Sequence, residues 1–471
     1  MQIKFIQKII DKVRGKNNYI TLLNNIQSNK IVLQDLIYKL EENNNKKIED
    51  IYNQLNECKT LMQNNYNEIS NWRIEQTNEK ILNKLRKKVK NGEKIKVAFI
   101  VIWASQFTSS KIYELMKNDP IFEPVIIVNK IPHMSEQDDI RFGDVFENSV
   151  KELKEKYGTV LTNFENGKYI DYSDEIDIAI LNVTYPPYFH SYMKIPYLIS
   201  KNILSILIPY GFYISKTSSD ELISQDIRYE YVKYLYKFYV DNEYLYSKLI
   251  EKSYNNAFYG YPKIDNYHNY HKNSDKISII LAPHQDLTGS CFCGNFLNTY
   301  KIYQEIPKMF PDIEFIFRPH PLWYSNLSFE WGKEKTDDYL NSVISQPNVK
   351  YSTEADYYQA FANSSAMIHD CGSFLPEYMI TNKPSMYLQD NKEIYSKYYN
   401  DLGLQCLDNM YIGSQIEDVK NFIQDVVING NDYMKEQRIN FVKANLSGYY
   451  PNTSEKIFED IKNEITRVTH D

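Results

Sequence analysis

The stretch IKVAFIVIW, Ile95 to Trp103, decides the fold class. Apart from Lys96 it is a run of β-branched, aromatic and other apolar residues, which suits a strand buried on both faces in a parallel sheet. Working outward, the pattern predicts a helix around Ser110–Lys117 and a strand over Glu123–Val128. Further strands are expected at Ile176–Asn182, Ser205–Pro209 and Lys237–Val240. Tyr259-Gly260-Tyr261-Pro262-Lys263 is a turn cluster, and the polar stretch Asp265–Asp275 reads as a linker. A second strand–helix series opens with KISIILA (Lys276–Ala282) and continues through Glu314–Arg318, Val349–Tyr351, Ala366–His369 and Ser385–Leu388. Two such series in succession make an α/β chain of two Rossmann-like domains facing across a cleft, with ligands at the carboxyl ends of the strands.

The 471 residues exceed what a single core usually holds, and 43% hydrophobic content supplies material for two. With 54 Lys and Arg against 61 Asp and Glu, the net charge of −7 argues against a chain-wide basic surface, so nucleic acid is not an expected partner. Cys58, Cys291, Cys293, Cys371 and Cys406 are few, odd in number and scattered, which reads as a reduced, cytoplasmic chain. Its longest apolar run, Val97 to Ala104, is strand-length and far short of the roughly 20 residues a membrane span needs. The first residues, MQIKFIQKIIDKVRGK, lack the apolar block and cleavage site of a signal peptide.

Residues 1–94 differ in texture from the rest and read as a helical, coiled-coil preface. Ile3, Phe5, Ile6, Ile9, Ile10 and Val13 fall mostly on one helical face, beside Lys4, Lys8, Lys12, Arg14 and Lys16. Such a helix either lies on an anionic membrane surface, at the inner face of the cell membrane, or docks on protein. From Ile48 a heptad runs through Ile51, Leu55, Cys58, Met62, Asn65, Ile69 and Trp72, a seam for homo-oligomerisation or for a helical hairpin. The basic run Lys84 to Lys96 then reads as a solvated linker into the first strand.

Three segments are candidates for chemistry. Phe317-Arg318-Pro319-His320-Pro321 ends a predicted strand, and its prolines fix the loop that presents Arg318 and His320. An arginine fork suits phosphate oxygens, and a histidine can donate a proton to a leaving phosphate. A rigid turn with a structural histidine is the alternative. In Ile368-His369-Asp370-Cys371-Gly372-Ser373-Phe374-Leu375-Pro376-Glu377 a strand gives way to a turn and a helix. Gly372 permits close backbone approach, Ser373 and the helix amides suit an anion, and Glu377 is placed to accept from ribose hydroxyls. An ordinary turn with an N-cap serine is the plain reading. His284, in Ala282-Pro283-His284-Gln285-Asp286, is expected to line the cleft. Cys291 and Cys293 have no second pair at zinc spacing, and the chain contains no GxGxxG, Walker A, HExxH or GxSxG.

Taken together, GYPKIDNY (Gly260–Tyr267), IILAPH (Ile279–His284), FRPHP (Phe317–Pro321) and the HDCGSF…E…NKP block resemble the CDP-glycerol glycerophosphotransferase family of teichoic-acid and capsule polymer synthesis. The resemblance covers roughly residues 95 to 460. It implies a GT-B fold, with an acceptor domain over residues 95–265 and a nucleotide-donor domain over 266–471. It further implies that Arg318 and His320 contact the donor pyrophosphate and that Ser373 takes the phosphate-binding position; with the residue reading above, His320, Arg318 and His284 are the catalytic candidates and Asp370, Gly372, Ser373 and Glu377 the donor-binding ones. The implied donor is CDP-linked, no metal is expected, and the acceptor is a polymer or a lipid-linked chain. One departure concerns the acceptor side, formed by Tyr210, Gly211 and His190. Where the family usually has a Trp-His-Gly-Thr segment, this chain has Ile208-Pro209-Tyr210-Gly211-Phe212. Tyrosine, with a pKa of about 10, is a poor base, so the base falls to another group such as His190 or Asp241, or the chemistry differs. A GT-B glycosyltransferase using a nucleotide sugar and a non-catalytic scaffold are the alternatives.

Overall fold

The computed structural model describes residues 73–132, 145–183, 188–216, 222–224, 227–228, 232–250, 255–289, 294–354 and 357–467. The basic stretch 1–16, the heptad 48–72 and the Cys291/Cys293 pair lie outside them. Contacts divide the chain between Gln76 and Thr77, and the unit from Thr77 onward holds both sheets.

In chain order the first half carries β1 (Ile95–Val101), β2 (Phe122–Val128), β3 (Leu161–Thr162), the hairpin β4 (Phe164–Glu165) and β5 (Lys168–Tyr169), β6 (Ile178–Leu181) and β7 (Leu204–Leu207). It continues with the hairpin β8 (Leu222–Ser224) and β9 (Ile227–Arg228), then β10 (Lys237–Val240) and β11 (Asn256–Phe258). The second half carries β12 (Ser278–Ala282), β13 (Glu314–Phe317), β14 (Val349–Tyr351), β15 (Ala366–His369), β16 (Ser385–Tyr387) and β17 (Tyr411–Ile412). Apart from the two antiparallel hairpins, they form two parallel sheets, ordered β11-β10-β7-β6-β1-β2-β3 and β14-β13-β12-β15-β16-β17. Both are doubly wound. The strand order reverses between β1 and β6 in the first sheet and between β12 and β15 in the second.

Both faces of each sheet are covered, as the apolar runs require. Val97, Phe99 and Val101 of β1 enter one core, and Ala98 and Ile100 enter the core on the opposite face. In β12, Ile279 and Leu281 pack on one side and Ile280 and Ala282 on the other. A strand's side chains alternate between faces, so only a strand apolar at every position suits a sheet buried on both.

Two segments join the first core from outside the expected 95–265 span. The helix over 73–90 sends Ile81, Leu82 and Leu85 into it, and the helix Thr453–Thr466 adds Ile457, Ile461 and Ile465. The last three repeat every four residues, a single helical stripe, and burying each contributes on the order of 2 kcal/mol. The basic run at Lys84–Lys96 is therefore not a free linker. Arg86 donates to the Glu464 carbonyl at 2.9 Å, and Lys88 pairs with Asp177 at 2.6 Å.

The start of the expected 265–275 linker is likewise structured. Pro262–Asn269 forms a 3-10 helix in which Asp265, 1% exposed, caps the returning helix. Its two carboxylate oxygens accept from the Thr453 amide at 3.2 Å and the Ser454 amide at 2.6 Å. Where the link between the sheets passes the returning chain, backbones touch. A Cβ on Gly448 would lie 2.3 Å from the Tyr259 carbonyl oxygen and 2.6 Å from the Gly260 Cα, and both glycines have positive φ. Only residues without a Cβ fit there.

The halves also meet at their carboxyl-end loops. Ser215 bridges Tyr399 in antiparallel fashion. The Asn400 amide donates to the Ile214 carbonyl at 2.8 Å, and its side chain donates to the Tyr213 carbonyl at 2.9 Å. Ile214 sits in a shared core with Tyr261, Leu375, Met379, Tyr399 and Leu402.

Candidate functional site

The loops that follow β12, β13 and β15 leave adjacent strands at the second sheet's switch point, and backbone hydrogen bonds lace them together. The His320 amide donates to the Pro283 carbonyl at 2.9 Å, joining the FRPHP loop to the APHQD loop. Asp370 joins the third. One carboxylate oxygen accepts from the His284 amide at 2.6 Å and the other from the Asn295 amide at 2.7 Å. Burial pushes its carboxyl up to about 7 although those amides favour the charged form. Asp370, expected to bind the donor directly, is fully buried and holds the loops that would.

Three histidines gather here. His284 and His320 sit edge to face with ring centroids 5.3 Å apart. The Nδ1 of His284 accepts from the Asp286 amide at 3.1 Å, and that of His320 accepts from the Leu322 amide at 3.1 Å. With Nδ1 an acceptor, the neutral ring carries its proton on Nε2, so both histidines are hydrogen-bond donors there. Burial holds His284 down at about 4, which keeps it neutral at physiological pH. His369, at the end of β15, was quoted in the motif without a role. It is 0% exposed, burial lowers it to about 3, and its Nε2 has no hydrogen-bond partner among the described residues.

Arg318 is 9% exposed and tied into its own surroundings. Its guanidinium donates to the Ser352 hydroxyl at 2.6 Å and to the Glu354 carbonyl, and lies 3.7 Å from the Glu354 carboxylate. It also packs on the Tyr357 ring, 5.4 Å from the centroid. The Tyr357 hydroxyl donates to Glu377. Glu377 is 5% exposed, so the carboxylate expected to meet ribose is already engaged by a tyrosine. Tyr261, fully buried, donates to the Tyr210 carbonyl at 2.5 Å and connects this cluster to the first half.

Gly372 approaches the Tyr399 hydroxyl so closely that a Cβ would stand 3.1 Å from it. Ser373 is exposed at the head of the helix Phe374–Met379 and its hydroxyl makes no capping bond, unlike the plain N-cap reading. The Cys371 thiol is raised to about 12 by burial, which removes it as a nucleophile. Lys383 donates to the Phe361 and Ala362 carbonyls at 2.6 and 2.8 Å, closing the end of the helix Tyr358–Asn363.

On the first half, Asp241 ends β10 and is 0% exposed. One of its oxygens accepts from the Tyr213 amide at 3.0 Å and the Asn242 side chain at 2.6 Å, while the other has no partner among the described residues. Burial raises it to about 7. Its visible work is to hold the loop carrying Tyr210 and Gly211. His190 lies elsewhere, stacked on Tyr169 at 4.2 Å and edge-on to Tyr192 at 4.6 Å. Sequence reasoning missed Tyr357 and gave no site role to Tyr261 or to Lys263, whose ammonium packs on the Tyr357 ring, although both stand in the GYPKIDNY segment. Tyr357 is one tyrosine among 42, and no local pattern separates it from the others.

Among the described residues no group of three or more His, Cys, Asp or Glu side chains could hold a metal ion, and no helix is long and apolar enough to cross a membrane. No family model and no curated protein matches the chain. Solved structures do. A UDP-N-acetylglucosamine 2-epimerase superposes with a TM-score of 0.54 at 11% identity, over 80% of this chain and 98% of that one. The UDP-GlcNAc 2-epimerase from Neisseria meningitidis bound to UDP-GlcNAc gives 0.52 at 11%, over 78% and 100%. A variant of the wall teichoic acid polymerase TagF gives 0.51 at 15%, over 84% and 98%. At these identities the likeness is one of architecture, and that architecture is the two-domain GT-B fold.

Proposed function

We propose that the chain is a GT-B transferase that moves glycerol phosphate, or a related group, from a CDP-activated donor to a hydroxyl of a bacterial surface polymer. The observation that carries this reading is the convergence of FRPHP, APHQD and HDCGSF at one switch point, where the His284 and His320 rings meet edge to face. The acceptor hydroxyl attacks the β-phosphorus and CMP leaves. Charge growing on the leaving phosphate is met by His320, by Arg318 and by the exposed Ser373 turn, donors fixed in place before the reaction. TagF, a wall teichoic acid polymerase by its name, shares the fold.

A second reading is a nucleotide-sugar enzyme of the same fold, favoured by the solved UDP-GlcNAc 2-epimerases. Thermal shift with CDP-glycerol, CMP-sugars, UDP-sugars and GDP-sugars separates the two. The first reading expects stabilisation by CDP-glycerol above the rest; a response to UDP-sugars alone selects the second. Silence with every donor would leave a binding scaffold. In the responding case, His320→Ala should abolish turnover with little change in melting temperature. The reading extends to an anionic membrane surface met through residues 1–16, and liposome binding should fall when they are deleted.

A further inference from the structure

Among the described residues Arg318 already has counter-groups inside the protein. Its guanidinium is answered inside the protein by Ser352 and by both the carbonyl and the carboxylate of Glu354. Lys263 differs. Its ammonium makes no ion pair and no hydrogen bond among the described residues, and its contact is the face of the Tyr357 ring, 4.8 Å from the centroid. Arg318 packs on the same ring.

The position of Lys263 is fixed rather than loose. It sits in the 3-10 helix Pro262–Asn269 between buried Tyr261 and Ile264, and its carbonyl accepts from the Tyr358 hydroxyl at 2.9 Å. A lysine held on an aromatic face, with no acid paired to it among the described residues, can take an incoming anion as its counter-charge. Glu377 is engaged by the Tyr357 hydroxyl. We infer that Lys263 is a phosphate ligand for a nucleoside diphosphate bound at the carboxyl edge of the second sheet, reaching it from the junction between the two halves beside Arg318. This rests on the nucleotide-donor reading above and adds to it a residue and a charge requirement.

Calorimetry on the full chain with CDP, UDP and cytidine tests it, comparing wild type with Lys263→Met and Lys263→Arg. Methionine keeps an apolar stem over Tyr357 without the charge; arginine keeps the charge. The expected result is CDP or UDP affinity lower by about tenfold or more in Lys263→Met, comparable to losing one charge-assisted hydrogen bond. Cytidine binding should be unchanged, and Lys263→Arg should bind the diphosphate nearly as well as wild type. If Lys263→Met binds the diphosphate as tightly as wild type, or loses cytidine and diphosphate equally, the inference is wrong while the donor reading stands. If Lys263→Met does not fold, Lys263→Arg and wild type still decide through salt dependence. A diphosphate affinity that does not weaken with salt more than cytidine's overturns the phosphate contact. Wild type that binds neither diphosphate overturns the donor reading, and this inference with it.

Discussion

At the scale of single residues, two buried aspartates end up with the same chemistry and opposite tolerances. Asp370 accepts a backbone amide on each oxygen, so Asp370→Asn sets an N–H against an N–H. An unsatisfied buried amide costs about 1–3 kcal/mol, and a matching loss of unfolding free energy is expected in denaturant titration. Asp241 uses one oxygen for both donors and leaves the other unpartnered. Asp241→Asn can keep both bonds and removes a buried charge, so at pH 8 it should be neutral or stabilising. A large loss for Asp241→Asn would mean that its second oxygen meets a partner.

At the scale of elements, the returning helix Thr453–Thr466 depends on a carboxylate from another segment. Asp265 meets its first two amides and also lies at the positive end of the helix dipole. Capping carboxylates are worth about 0.5–2 kcal/mol, and burial places this one toward the upper end. Asp265→Ala should lower stability by about 2 kcal/mol and raise amide exchange first in Thr453–Thr466. If exchange instead rises uniformly, the cap is not what anchors the helix. The cost extends beyond the helix because Ile457, Ile461 and Ile465 belong to the first core.

At the scale of the molecule, four buried groups make stability depend on pH in opposing directions. Asp241 and Asp370 titrate at about 7 in the fold against an ordinary 3.8. The fold binds more protons than the open chain in between, so their contribution is present below about 4 and lost as pH rises to 7. His284 and His369 titrate at about 4 and about 3 against an ordinary 6.5. Their contribution is present above 6.5 and lost as pH falls. The two effects oppose each other between pH 4 and 6.5. Asp241→Asn removes part of one, so its melting temperature should climb more steeply with pH across that window than wild type's. Parallel curves would show that Asp241 titrates normally.

The sequence by itself determined the two-sheet architecture. Runs that are almost wholly apolar, such as Ile95–Val101 with its one exposed Lys96 and Ser278–Ala282, suit strands buried on both faces, and Lys237–Val240, Val349–Tyr351 and Ala366–His369 fall where the pattern puts them. It also determined which loops carry Arg318, His320 and His284, because proline and glycine act locally on the backbone. Edge strands of two or three residues, β3, β11 and β17, fall below any periodic window. Only the tertiary structure decided that Asp370 laces loops, that Glu377 is held by Tyr357, that Asp265 caps a helix 188 residues away and that the last helix completes the first core. Periodicity reports what a residue's immediate neighbours require. The role of a buried polar group is set by the partner it meets, and these partners come from distant parts of the chain.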